Sequence, residues 1–491
     1  MKFHKILCLA LTLASAGTAV AIPYASNIRV STLTTGIGGG LTITYILNEP
    51  SDSVTVDIMN GVTPVATFAG TTTRGSNTVI WNGTADNAAG APVGTGSYRV
   101  RVTANKTAGA WSEVTSQRSS PPGFGPAGAV YNTVFNGVSP NDLYFPSNTD
   151  SDFFGLGFAV NSFQTVKAAA AIVFNADTSV ALGNGYATRA LIATAIEAGT
   201  VANTSLWGAC VDPDNADAVY VTGQHGGNNG LYYGNLASSA TMTVADPDLV
   251  LGANLPRGVI VTKEGANKYA YFCYGNGIIS KIAIDTVNNK LTATPAPQVI
   301  TSFATTTRYA RNVDTDTSGN LYFLSKTTGT PAGGNGALFR WNAAQVAGQP
   351  IVTLLTEANA VWTVNPSANM LNMMGPAITP SGDVYVAFAS GTERGIYFVG
   401  NTATATLTKN LTTADRVVDM NSIGTPAATW SPSTINFTIR PDPAGNIWAI
   451  DRSTEQFRVF GPNGTTSKQI TAPTSQTFAI TASNVRDWTL Y

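Results

Sequence analysis

The sequence is poor in ionisable groups. Only 11% of its 491 residues are charged, with 27 Lys and Arg against 28 Asp and Glu, where an ordinary soluble domain carries about 25%. A balance this close to zero gives no basic field for nucleic acid or an anionic membrane surface, so neither is an expected partner. Histidine is nearly absent, with two copies. That excludes His-cluster metal centres, and neither a metal site nor a cofactor is expected. No Gly-x-Ser-x-Gly elbow surrounds a serine, and sialidase-type Ser-x-Asp-x-Gly-x-Thr-Trp boxes are missing. The three cysteines are too few for a disulfide scaffold. Beyond residue 21 no apolar run reaches the roughly 20 residues a bilayer requires, so no transmembrane anchor is expected.

What is present begins with a leader. Lys2 and Lys5 form a positive n-region, residues 6–16 a short apolar core, and Ala19-Val20-Ala21 a small-residue cleavage site. This reads as a secretory signal peptide over 1–21, which places the mature chain outside the cytoplasm: secreted, periplasmic or at the cell surface. Cys8 falls inside the leader without a lipobox. Cys210 and Cys273 remain, either joined as one disulfide in an oxidising compartment or buried separately as small hydrophobes. His225 is the single histidine left.

The first mature segment, 22–108, alternates apolar and polar residues in short runs, as in Leu41-Thr-Ile-Thr-Tyr-Ile-Leu47. About seven such runs in 80 residues mark a β-sandwich. Trp81-Asn82-Gly83, Asp86, Gly90, Pro92-Val93, Gly96 and Tyr98 resemble the Ig-like domain of the flagellar hook-capping (FlgD-type) family. There a Trp-Asp-Gly turn leads into an Asp/Gly-rich hairpin and a Gly-Thr-Tyr strand; here Asn82 and Ser97 replace the usual Asp and Thr. The resemblance implies an Ig-like spacer or adaptor, with Trp81 and Tyr98 in its core.

A Pro/Gly-rich linker is expected over 109–128. From 129 to 491 one unit recurs: an apolar strand, a tight Asp/Pro/Gly/Asn turn, then a strand carrying Tyr, Trp or Phe. Copies start at Val211, Val261, Val313, Ile378 and Ile439, and a degenerate one spans 134–160. A third strand follows most copies, for example 337–341 and 457–460. Steps of about 50 to 63 residues suit four-stranded propeller blades with long outer loops, which bury both faces only by stacking in a ring. The last copy, Asp442-Pro-Ala-Gly-Asn446 running on to Phe457-Arg-Val-Phe460, resembles NHL-type six-bladed propellers. The expected fold is therefore all-β: a small Ig-like β-sandwich followed by a β-propeller. Six blades are counted, or seven if Phe478-Ala-Ile-Thr481 and Asp487-Trp-Thr-Leu-Tyr491 open another.

In a propeller, second-to-third-strand loops and first-strand starts share one face. That face would present Trp207, His225, Asn228, Arg257, Arg311, Glu393, Arg394, Asp451 and Arg452 to a ligand. The clusters Asp212/Asp214/Asp217 and Asp314/Asp316 have the ligand type of hard-cation sites, but they recur at the inter-strand turn, where Asp caps backbone N–H groups. They are read as turns, and no catalytic residue is assigned. The leading expectation is a non-enzymatic exported binding or scaffold protein, engaging a carbohydrate, a peptide or a surface protein. The alternatives are a propeller hydrolase or lyase using channel carboxylates, and a subunit of a surface layer or extracellular fibre.

Overall fold

The computed structural model describes residues 22–107, 112–116, 140–144, 157–161, 171–174, 205–214, 218–225, 228–235, 249–252, 256–274, 277–285, 287, 291, 296–303, 308–327, 336–420, 438–451, 456–461, 467–473 and 477–482. The leader, most of the linker and Asp487–Tyr491 lie outside them. Among these residues the chain is nearly all strand, arranged as a two-sheet sandwich and a β-propeller.

One sandwich sheet orders Ala25–Val30, Leu41–Leu47 and Gly75–Trp81. Strict alternation of buried and half-buried residues along Leu41–Leu47 shows why period two makes a half-covered strand. Trp81 and Tyr98 lie in the core with Ile43, Tyr45, Val56 and Val100. After Trp81 the chain turns at Gly83, whose φ is +87°, and at Asn87, whose φ is 56°. A Cβ on Gly83 would stand 2.6 Å from the Gly38 carbonyl carbon, so the close approach requires glycine.

The second sandwich sheet departs from the expected boundaries. The 12-residue strand Gly96–Thr107 pairs along one edge with Ser53–Asn60. Its other edge takes Ser467–Pro473 and Phe478–Thr481, from the far end of the sequence. Phe478 and Ile480 alternate into the sandwich core, and the Phe478 ring meets Trp81 edge-on at 6.3 Å. Phe478–Thr481 therefore opens no seventh blade; burying its apolar side against Trp81 and Tyr98 decides its place.

The propeller contributes six described sheets. Pro140–Tyr144, Gly157–Asn161 and Ala171–Phe174 form the first. Sheets two to five start at Ser205–Val211, Pro256–Glu264, Arg308–Thr315 and Leu371–Ile378, and each adds its next three strands outward in antiparallel order, with Leu407–Asn410 joining the edge of sheet four in parallel. Sheet six, Ile439–Pro441, Ile447–Asp451 and Gln456–Gly461, takes its fourth strand from Ser112–Ser116. That segment was expected in the linker. It is a strand because the outer edge of sheet six otherwise exposes a row of unpaired N–H and C=O groups. First strands pack on first strands from sheet one to sheet six, and the second strand of sheet six touches the first of sheet one.

Each first strand of sheets two to five carries a register shift at the same place, at Leu206/Gly208, Pro256/Val259, Ala310/Asn312 and Met374/Ala377. The strands approach most closely there. A Cβ on Gly208 would stand 2.4 Å from the Arg257 carbonyl oxygen, and one on Gly258 would stand 2.3 Å from Asn312 Oδ1. Apolar clusters fill the spaces between neighbouring sheets. Cys210 and Cys273 are buried and are not joined by a disulfide.

Candidate functional site

The recurring turn has one local logic. In sheet four, Asp316 Oδ1 accepts the Ser318 and Asn320 backbone N–H groups. Its Oδ2 accepts the Asn320 side-chain amide at 2.8 Å and the Tyr322 hydroxyl at 3.1 Å. Sheet six repeats the pattern. Asp442 Oδ1 accepts Ala444 N and Asn446 N, and Oδ2 accepts Asn446 Nδ2 at 2.8 Å and Trp448 Nε1 at 3.1 Å. The aromatic residue of the second strand thus caps the acid that begins the turn. Sheet five substitutes Thr379, whose hydroxyl accepts the Asp383 N–H.

Two residues before each of those acids stands a charged group pointing toward the ring axis. Asp314 in sheet four and Arg440 in sheet six meet at 2.9 Å, both buried, although sheet five lies between them in the ring. Arg440 also donates to Asn312 Oδ1 at 3.3 Å. The pair joins non-adjacent blades across the channel. Tyr144 of sheet one lies near both, and burial pushes its hydroxyl well above the usual range.

These turns enclose a cleft of about 320 Å³ lined by Tyr144, Asp314, Thr317, Thr379, Arg440 and Asp442 among others. Thr315 and Thr402 add hydroxyls to its wall. Burial pushes the Asp442 carboxyl up to about 7, against the pull of its four donors. Asp212, the corresponding acid of sheet two, is instead held by Lys268 at 2.9 Å in a fully buried pair. Asp214 pairs with Lys263 at the surface. No group of three or more His, Cys, Asp or Glu suited to a metal occurs among the described residues.

Eight of the nine residues singled out from sequence lie at the other ends of the strands. Trp207, Arg257 and Arg311 are the displaced residues of the repeated register shift in sheets two, three and four. The structure brings the first two together: the Arg257 guanidinium sits 4.1 Å from the Trp207 ring centroid. His225 and Asn228 are backbone partners across the hairpin of sheet two, and Asp451 pairs with Gln456 across that of sheet six. Glu393 accepts a 2.6 Å hydrogen bond from Ser367, and Arg394 follows it in the sheet-five loop. Arg452 lies outside the described residues.

The cleft was missed because its acids were read as turn residues, which holds for Asp316 and Asp442 but not for Asp314, a strand residue paired with Arg440. The signal available was the arginine at the repeat position that carries Asp314 two copies earlier: a base and an acid in equivalent places face each other across a ring.

No protein-family model matches the sequence, and no curated protein matches it. Solved structures with a similar fold include a 6-phosphogluconolactonase candidate from Bacteroides uniformis, 15% identical, covering 87% of this chain and 97% of that one with a TM-score of 0.37. The α-L-arabinofuranosidase CtGH43 of Clostridium thermocellum is 12% identical over 56% of this chain and 94% of its own, with a TM-score of 0.30. Raptor of Chaetomium thermophilum is 10% identical over 67% of this chain, with a TM-score of 0.37, and the match spans only 29% of Raptor. Likenesses this distant say nothing about activity.

Proposed function

We propose that this is an exported binding protein whose propeller takes a small, neutral, hydroxyl-rich ligand of the carbohydrate type in the cleft at the turn ends of sheets four to six. The observation that carries this reading is how the lining is committed. Both oxygens of Asp316 and of Asp442 accept two hydrogen bonds each within their own turns, and Asp314 is neutralised by Arg440. No described cleft carboxylate is left to act as nucleophile or base. Thr315, Thr317, Thr402 and Tyr144 supply hydroxyls instead, the donors and acceptors that position a polar ligand in a pocket. Export follows from the leader over 1–21. The sandwich serves as an FlgD-type Ig-like spacer, a reading supported by the Trp81 turn, where Trp81 Nε1 donates to the Thr84 carbonyl and Asp86 caps Ala88 and Gly90. An NHL-like ring of six blades is supported by the repeated acid-to-aromatic cap.

Titration calorimetry with neutral mono- and disaccharides tests the binding reading. Binding that weakens at least tenfold in Thr317→Val and Tyr144→Phe, and is unchanged in Trp207→Phe, supports it. The reverse pattern overturns it.

One observation favours a hydrolase as the second reading: Asp442 lines the cleft with its carboxyl near neutral pKa, the range a general acid needs. Turnover of lactones or glycosides that is lost in Asp442→Asn would establish it. Its four donors argue against it, since protonation sacrifices one of their hydrogen bonds.

A further inference from the structure

Ile22 is the residue that leader removal after Ala21 would make the first of the mature chain. Its backbone N donates to Asn446 Oδ1 at 2.9 Å, and Asn446 Nδ2 donates back to the Ile22 carbonyl at 3.1 Å. From the sandwich, Asn48 Nδ2 donates to the same carbonyl at 3.1 Å, while Asn48 Oδ1 accepts Tyr24 N at 2.7 Å. Ile22, Tyr24 and Ala444 form a small buried apolar cluster around this contact. Asn446 is fully buried and is held in place by Asp442 through its side-chain and backbone N–H groups.

We propose that the Asp442–Asn446 turn of the last blade is a binding site for the free α-ammonium of Ile22, created when the leader is removed. A peptide nitrogen brings one donor and no charge to Asn446. A terminal ammonium brings three donors and a positive charge to a pocket whose acidic member, Asp442, forms no ion pair among the described residues. Of the other charged groups nearby, Arg440, two residues before Asp442, pairs with Asp314, and Glu49, beside Asn48, lies 4.0 Å from Arg74 with its carboxyl pushed up to about 7 by burial. Capture of a chain terminus by a turn's polar groups is a recurrent recognition mode. Here it would tighten, after processing, a fastening of the sandwich to the propeller that the peptide nitrogen of Ile22 already makes through Asn446. The site is independent of what the cleft binds, and N-terminal sequencing of the exported protein checks the cleavage point separately.

Charge gives the proposal a sign. With Asp442 as neighbour, the ammonium keeps its proton above the ordinary 7.7–8.0 of an α-amine. Its stabilisation is present below about pH 8 and is lost as pH rises through the raised value. Without the ammonium, the burial-raised carboxyl of Asp442 makes stability fall as pH rises from about 4 to 7, because the folded state there binds the extra proton.

The test compares the chain beginning at Ile22 with the same chain acetylated at Ile22. The free amine should raise Tm by about 2 °C or more near pH 7, with the gap closing above about pH 10 and vanishing in Asn446→Ala. Reductive methylation should label the Ile22 amine at least tenfold more slowly in the folded protein than in urea. Equal Tm profiles together with labelling at the unfolded rate would overturn the proposal, and the labelling arm needs no variant to fold.

Discussion

The turns of sheet four and sheet six are built from one pattern and put to different uses. Asp316 and Asp442 each hold the same four kinds of donor, and each is followed at the same spacing by an asparagine and an aromatic residue. In sheet four the spare oxygen of Asn320 accepts the backbone N–H of Ala343, at the start of the short helix Ala343–Val346 that follows its own third strand. In sheet six the equivalent oxygen, on Asn446, accepts Ile22 from the start of the sandwich. Satisfying the acid and the backbone fixes the turn, and the leftover amide oxygen is free to take whatever the chain brings to it. A repeat can therefore keep its fold while one atom per copy changes partner.

Removing the acid should separate the two copies most. Asp442→Ala leaves an indole N–H, an amide and two backbone N–H groups without their acceptor in a site only 1% exposed, and should cost about 4 kcal/mol in urea unfolding. Asp316→Ala makes the same deletion at 7% exposure, where water reaches some of the freed donors, and should cost about 2 to 3 kcal/mol. Equal losses would show that burial does not distinguish the copies.

The charges two residues upstream tie the copies together. Arg440→Met strands the Asp314 carboxylate in the channel and should cost about 3 kcal/mol. Adding Asp314→Leu should recover most of that loss, because the isolated charge is then gone. A double variant no better than the single would mean that Arg440 acts by packing alone.

Acid response is the next contrast. With its carboxyl pushed up to about 7 by burial, Asp442 in an N-acetylated chain makes stability decline from about pH 4 to pH 7. Asp442→Asn should remove Asp442's share of that decline in Tm measured against pH and leave the share due to Glu49, whose carboxyl burial also pushes up to about 7. Asp316→Asn should leave the whole decline in place.

Much of this was legible beforehand. The turn acid, the glycine, the asparagine and the aromatic residue lie within seven residues of one another, so their mutual capping is a local property that recurs visibly along the chain. The sandwich strands announce themselves by period two, as in Leu41–Leu47. What escaped reading is non-local. Phe478–Thr481 has the alternation of any half-buried strand, and nothing in four residues says that its partner is Gly96–Thr107. Ser112–Ser116 is likewise defined by the open edge it fills, 340 or more residues away in sequence. The cleft escaped for the same reason: Tyr144, Asp314 and Arg440 meet only because the ring brings them to one axis.

The asparagines themselves come next in size. Asn320→Ala removes one acceptor from the helix start at Ala343 and should cost about 1 kcal/mol. Asn446→Ala removes a donor and an acceptor from Ile22 as well as its bond to Asp442, and should cost about 2 kcal/mol.

The smallest effect belongs to the opposite end of the strands, and it tests whether the turn end is special at all. Arg257 stacks 4.1 Å from the Trp207 ring, a contact worth about 0.5 to 2 kcal/mol as it goes from exposed to desolvated. Neither Trp207 Nε1 nor Arg257 Nη1 has a hydrogen-bond partner among the described residues, so Trp207→Phe sacrifices no hydrogen bond and keeps an aromatic face under the guanidinium. Its cost should be about 0.5 kcal/mol, and saccharide affinity at the cleft should not change. A loss of several kilocalories, or of binding, would move the functional end of the ring to the face that carries Trp207, Arg257 and Arg311.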